Sequence, residues 1–99
     1  MRFLLKVQMP VEAGNTAIRD GSLPKVIEST LAKLKPEAAY FFADDGKRTM
    51  MLFFNLNDTS EIPVIMEPLF MGVNASVELI PVMNVDELKA GLEKASKHF

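Results

Sequence analysis

Residues 38–56 read Ala38-Ala39-Tyr40-Phe41-Phe42-Ala43-Asp44-Asp45-Gly46-Lys47-Arg48-Thr49-Met50-Met51-Leu52-Phe53-Phe54-Asn55-Leu56, two apolar, aromatic-rich runs hinged on Asp45-Gly46. An Asp-Gly pair tolerates the positive φ angles of a type I′ turn, so the runs close as a two-residue β-hairpin. That turn also sets the register. It predicts Tyr40 opposite Met51 and Phe42 opposite Thr49 on one face, with Phe41 opposite Met50 and Ala43 opposite Arg48 on the other.

Working outward, each flank of the hairpin supplies a helix and then a strand. Toward the N-terminus, Ser22 reads as an N-cap with Pro24 in the first turn, and Leu23, Val26, Ile27, Leu31 and Leu34 form an apolar stripe ending at Lys35-Pro36. Before it, Glu12 to Asp20 forms a shorter helix stopped by Gly21. Phe3 to Met9 alternates as a strand, with Phe3, Leu5, Val7 and Met9 on the core side. Toward the C-terminus, Ser60 caps a second helix through Ile62, Ile65, Met66 and Leu69, with Pro63 in its first turn. Pro68 is expected to kink or split that helix, because it crowds the carbonyl of Val64. Val77 to Met83 is the last strand, its Pro81 marking an edge or a strand end. Asn84 and Glu87 have capping-box spacing and open a terminal helix striped by Leu88, Leu92, Ala95 and Phe99.

The order β-α-β-β-α-β plus a helix is that of an α+β, ferredoxin-like sandwich with an antiparallel four-stranded sheet. Ninety-nine residues leave room for a single domain, 1–99. With 24% charged and 48% hydrophobic residues, the chain has a globular composition. It has no cysteine, which removes disulfides, thiolate metal sites and thiol nucleophiles together and fits a cytoplasmic protein. The opening run Arg2-Phe3-Leu4-Leu5-Lys6 lacks the apolar stretch of a signal peptide, and no segment reaches the ~20 apolar residues of a membrane span. A net charge of -2 and a pI near 5.3 disfavour nucleic acid as a partner. The third strand also lacks the Gly-aromatic pattern with which RNA-binding sheets stack bases.

If the two helices cover one sheet face, the other carries Leu4, Lys6, Gln8, Tyr40, Phe42, Met51, Phe53, Asn55, Glu78 and Ile80. Each aromatic ring can bury ~150 to 250 Å², so this face matches or exceeds the ~300 to 600 Å² apolar patch that monomers tolerate. Two covers are open: the terminal helix folded across it within one chain, or a homodimer whose sheets meet face to face. In an enclosed space, Lys6 and Glu78 are the candidate catalytic acid and base, or else a structural ion pair. Gln8, Tyr40, Phe42, Met51, Phe53 and Asn55 are the candidate ligand-binding residues for a small, partly apolar molecule. Arg19, between Gly14 and Gly21, is a candidate anion contact on a lid, or an ordinary surface residue beside Asp20. His98, alone near the chain end, is a poor metal ligand and a poor triad member, so no metal or cofactor is expected.

Several local stretches carry a resemblance: Arg19-Asp20-Gly21-Ser22-Leu23, Lys35-Pro36-Glu37-Ala38-Ala39-Tyr40-Phe41, Gly46-Lys47-Arg48, Glu67-Pro68-Leu69-Phe70, and Val77-Glu78 followed by Pro81-Val82-Met83. In these the chain resembles an uncharacterised family of about this length within the dimeric α+β barrel superfamily. The resemblance implies two ferredoxin-like subunits enclosing a ligand cavity between their sheets. The superfamily includes muconolactone isomerase-like enzymes, cofactor-free antibiotic-biosynthesis monooxygenases and haem-degrading monooxygenases. The absence of Trp and the position of His98 leave no haem-ligand or His-Asp pattern to map here. What the resemblance implies is therefore a cofactor-independent isomerase or monooxygenase at most; the alternative is a non-catalytic dimerisation or protein-interaction module.

Overall fold

Asp45 and Gly46 carry φ angles of 54° and 71°, the double left-handed turn expected of the hairpin. They join β2 (Ala38–Asp44) to β3 (Lys47–Asn55) in the predicted register, Tyr40 opposite Met51 and Phe41 opposite Met50. The computed structural model describes all residues from Met1 to Phe99. Its other elements are β1 (Arg2–Gln8), α1 (Val11–Arg19), α2 (Ser22–Leu34), α3 (Ile62–Val73) after a 3₁₀ turn at Thr59–Glu61, β4 (Ser76–Pro81) and α4 (Val85–Ser96). The strands lie in the order β2-β3-β1-β4, with every neighbouring pair antiparallel. The fold is thus the ferredoxin-like α+β sandwich.

One sheet face supplies the core. Leu5, Val7, Met50, Leu52 and Phe54 are buried against Ala17, Leu23, Ile65, Leu69 and Val73 of the helices. The alternation in β1 and β3 places these residues, since period-two side chains share a face.

Two caps differ from expectation in the same way. Ser22 does not cap α2; Gly21, at φ 78°, is the N-cap, and the Asp20 carboxylate accepts from the Ser22 N–H. Likewise the carboxylate of Asp58 accepts from the Ser60 N–H, so Asp58 takes the capping role given to Ser60. An Asx turn satisfies the orphan amide two residues on, and a carboxylate is the stronger acceptor.

Pro68 neither splits nor ends α3, which runs unbroken from Ile62 to Val73. Its missing N–H would have served the Val64 carbonyl, and that oxygen instead accepts from Lys33 Nζ on α2, at 3.3 Å. The orphaned acceptor faces a neighbouring cation, and this offsets part of the cost of a proline at that position.

The capping box of α4 forms as predicted. The Asn84 side chain accepts from the Glu87 N–H at 2.8 Å, and Glu87 Oε1 accepts from the Asn84 N–H at 2.9 Å. The helix behind that cap buries none of its residues. Of the two covers left open for the other sheet face, the terminal helix folded across it within one chain is therefore not seen.

Candidate functional site

The sheet face away from the helices carries the residues the sequence singled out, and nothing in the chain covers it. Tyr40 is 61% exposed, Ile80 43% and Phe42 40%, while Leu4, Met51 and Phe53 are half-buried. Lys6 and Glu78 are cross-strand neighbours on β1 and β4, as the topology required. The ion pair, however, forms elsewhere: Lys6 Nζ lies 2.8 Å from Asp44 Oδ2 at the end of β2. Hydrogen bonding to Asp44, then its charge, with a smaller contribution from Glu78, raises the Lys6 pKa. Lys6 is therefore held as an ammonium, a cation rather than a base.

Gln8 is committed as well. Its Nε2 donates to the Asp44 carbonyl at 3.1 Å and to Thr49 Oγ1 at 3.3 Å, and Thr49 is 4% exposed. Lys6, Gln8, Ser76 and Glu78 line a groove of about 60 Å³, space for a few waters until another surface closes it. Asn55 and Arg2 stand at the opposite end of the face, where Arg2 Nε donates to Glu37 and its Nη1 to Glu87. Arg19 is exposed on the last turn of α1 and lines neither this groove nor the cavity described next.

A second space, not foreseen from the sequence, opens on the helix side. Phe41 and Ala43 of the edge strand β2, Met50 of β3 and Val26 and Ile27 of α2 bound a cavity of about 350 Å³ whose lining is almost wholly apolar. Phe41 belongs by register to the core face, yet it is 53% exposed, because the helical layer does not reach over β2. Arg48 is the cavity's one charged residue. Its Nη2 donates to Asn15 Oδ1 at 3.0 Å and its Nη1 to the Val11 carbonyl at 3.4 Å, which ties β3 to α1. No carboxylate pairs with it among the ion pairs of the chain. Three of the five guanidinium N–H groups have no protein acceptor.

Gly14 makes that seat possible. A Cβ at this position would lie 2.6 Å from Arg48 Nη1. The signal available in the sequence was the break in β3's core-face pattern: Arg48 precedes Met50, Leu52 and Phe54 at period two, a cation where an aliphatic side chain is expected.

No protein-family model and no curated protein matches the chain. Among solved structures it is similar to a formyltetrahydrofolate deformylase from Pseudomonas putida KT2440, with a TM-score of 0.56 and 13% identity over 83% of this chain and 29% of that one. The likeness is one of fold. It agrees with the βαββαβ topology, and this chain spans less than a third of that protein's length. No helix is long and apolar enough to cross a membrane, and no cluster of His, Asp or Glu is arranged to hold a metal ion.

Proposed function

We propose that the protein is a homodimer, its sheets meeting through the open face, and that each subunit binds a small, partly apolar molecule bearing an anionic group. The observation that carries the ligand is the helix-side cavity: about 350 Å³ falls within the ~300 to 1,000 Å³ typical of small-molecule sites. Its apolar walls suit an aromatic or aliphatic body, and the Arg48 N–H groups left without a protein acceptor suit a carboxylate. The groove beside Lys6 and Glu78, enclosed between two sheets, is the smaller of the candidate spaces. Turnover as an isomerase or oxygenase would need a proton acceptor at the ligand. Lys6 is protonated and paired with Asp44, and the cavity's polar side chains are Arg48 and Thr49, so the reading is one of binding.

The test is a thermal-shift and calorimetric screen of aromatic and medium-chain carboxylic acids beside their neutral amides, with Arg48→Met as the control. Binding of acids that falls about tenfold or more in Arg48→Met, with neutral analogues unaffected, is the expected result. Equal affinity for acids in the variant would remove Arg48 from the site. No stabilisation by any compound would favour the second reading, a module for dimerisation or protein interaction, which the exposed Tyr40, Phe42 and Ile80 support on their own.

A further inference from the structure

Helix α4 is a twelve-residue amphipathic helix with nothing to lie against. Leu88 is 45% exposed and Leu92 59%, on one stripe with Ala95; Phe99, expected on the same stripe, lies beyond the end of the helix at Ser96. Isolated helices shorter than ~12 to 15 residues are marginal in water, and Gly91 within this one lowers its propensity further. A capped helix of this length with an apolar stripe needs a surface to pack on.

The root of α4 shows where that surface is. Arg2 belongs by register to the open sheet face, the same side as Leu4 and Lys6. Its guanidinium joins Glu87 in the first turn of α4 to Glu37, which pins the helix start at the rim of that face. A second copy seated on the face would therefore lie directly beside the projecting helix.

Area decides between sheet contact alone and sheet contact with the arm. Four strands at ~4.8 Å spacing and seven residues at ~3.4 Å outline a face of roughly 450 Å², so two apposed faces bury about 900 Å². Stable interfaces bury ~1,200 to 2,000 Å². A helix ~18 Å long and ~10 Å wide, docked once from each subunit, adds about 700 Å²; with β2 of each face given to the arm, the three strands left to sheet contact bury about 700 Å², and the total of about 1,400 Å² lies in that range.

Resting on the homodimer reading above, we infer that α4 is an exchanged arm: each subunit lays Leu88 and Leu92 against Tyr40 and Phe42 on the edge strand β2 of its partner. Those two rings are, with Ile80, the most exposed large apolar groups of the open face. Exchanged reciprocally between two subunits, the arm obeys a two-fold axis and the assembly closes at two chains.

The test compares full-length wild type with the double variant Leu88→Glu/Leu92→Glu and with the milder Leu92→Ala, by light scattering across a dilution series. Because α4 packs on nothing in its own chain, both variants keep the sheet's circular dichroism. Dimer dissociation is expected to strengthen about 100-fold or more in the double variant and about tenfold in Leu92→Ala. In a dimer mixed from isotope-labelled and unlabelled chains, intermolecular NOEs are expected between the Leu92 methyls and the Tyr40 ring. A dimeric wild type whose double variant dissociates no more readily, without those NOEs, overturns the arm and leaves the homodimer standing. A monomeric wild type overturns both.

Discussion

At Gly14 two opposing effects have known sizes. Alanine in a helix interior is favoured over glycine by about 1 kcal/mol. Against this, a Cβ would displace the Arg48 guanidinium, whose Nη1 lies only 2.6 Å from that point. The displaced group is the end of a flexible side chain, so Gly14→Ala is expected to leave the melting temperature unchanged or slightly higher while weakening carboxylate binding. Parallel thermal denaturation and ligand titration check it. A loss of several degrees would show that the bonds from Arg48 to Val11 and Asn15 hold α1 on the sheet more strongly than propensity can offset. Arg48 was legible as an interruption of a period-two pattern. Its lack of a carboxylate partner was not, because α1 and β3 meet only in three dimensions.

At the scale of the element, α3 and α4 each depend on a neighbour. In α3, Pro68→Ala restores the N–H that Val64 lacks, and the gain is expected at about 1 kcal/mol. That falls short of the full ~3 kcal/mol of an interior proline because Lys33 already serves the Val64 carbonyl. Chemical denaturation measures it, and a loss of stability would mean that the proline ring itself packs usefully. In α4, the amide of Asn84 first, and Arg2 second, hold the Glu87 carboxyl below its ordinary pKa. A depressed carboxyl stabilises the fold above its unfolded value, about 4.3, and that contribution is lost as pH falls through the folded value. Helicity of α4, followed by NMR chemical shifts, is therefore expected to drop on acidification below about pH 4. Glu87→Gln should lose the Arg2 anchor at neutral pH and flatten the transition. An unchanged acid transition in that variant would assign the loss to other carboxyls.

The molecule as a whole is longer than a chain of its size needs to be. Its radius of gyration is 16.1 Å and its extents are 55 × 28 × 19 Å, against ~13 Å for a compact domain of 100 residues. The projecting α4 accounts for the excess. An open apolar sheet face and a free amphipathic arm on one chain are complementary halves of a two-fold contact, which is why a dimer is the natural reading. Phe53→Asp tests it independently of the arm. Phe53 sits within the open face and is half-buried in the single chain, so the carboxylate keeps access to water there. In an apposed dimer the same charge has no partner and costs several kcal/mol. The expected outcome is a folded monomer by light scattering, against the twice 11.0 kDa expected of a dimeric wild type. A variant that remains dimeric would move the interface off this face.

The hairpin register and the division of the sheet into two faces were already written in the local pattern of the chain. These follow from short-range rules: Asp45-Gly46 admits only a tight primed turn, and alternation in β1 and β3 assigns every side chain to a side. Tertiary structure decided the rest. Whether Lys6 meets Glu78 or Asp44 depends on how far a flexible ammonium reaches across three strands, and cross-strand adjacency alone does not settle that. The cavity beneath Phe41 exists because the helical layer stops short of the edge strand, which depends on where α2 lies against the sheet. The freedom of α4 is likewise a matter of direction. An amphipathic stripe declares that a helix needs a partner, and only the tertiary structure, in which Leu88 and Leu92 stay exposed, shows that its own sheet is not that partner.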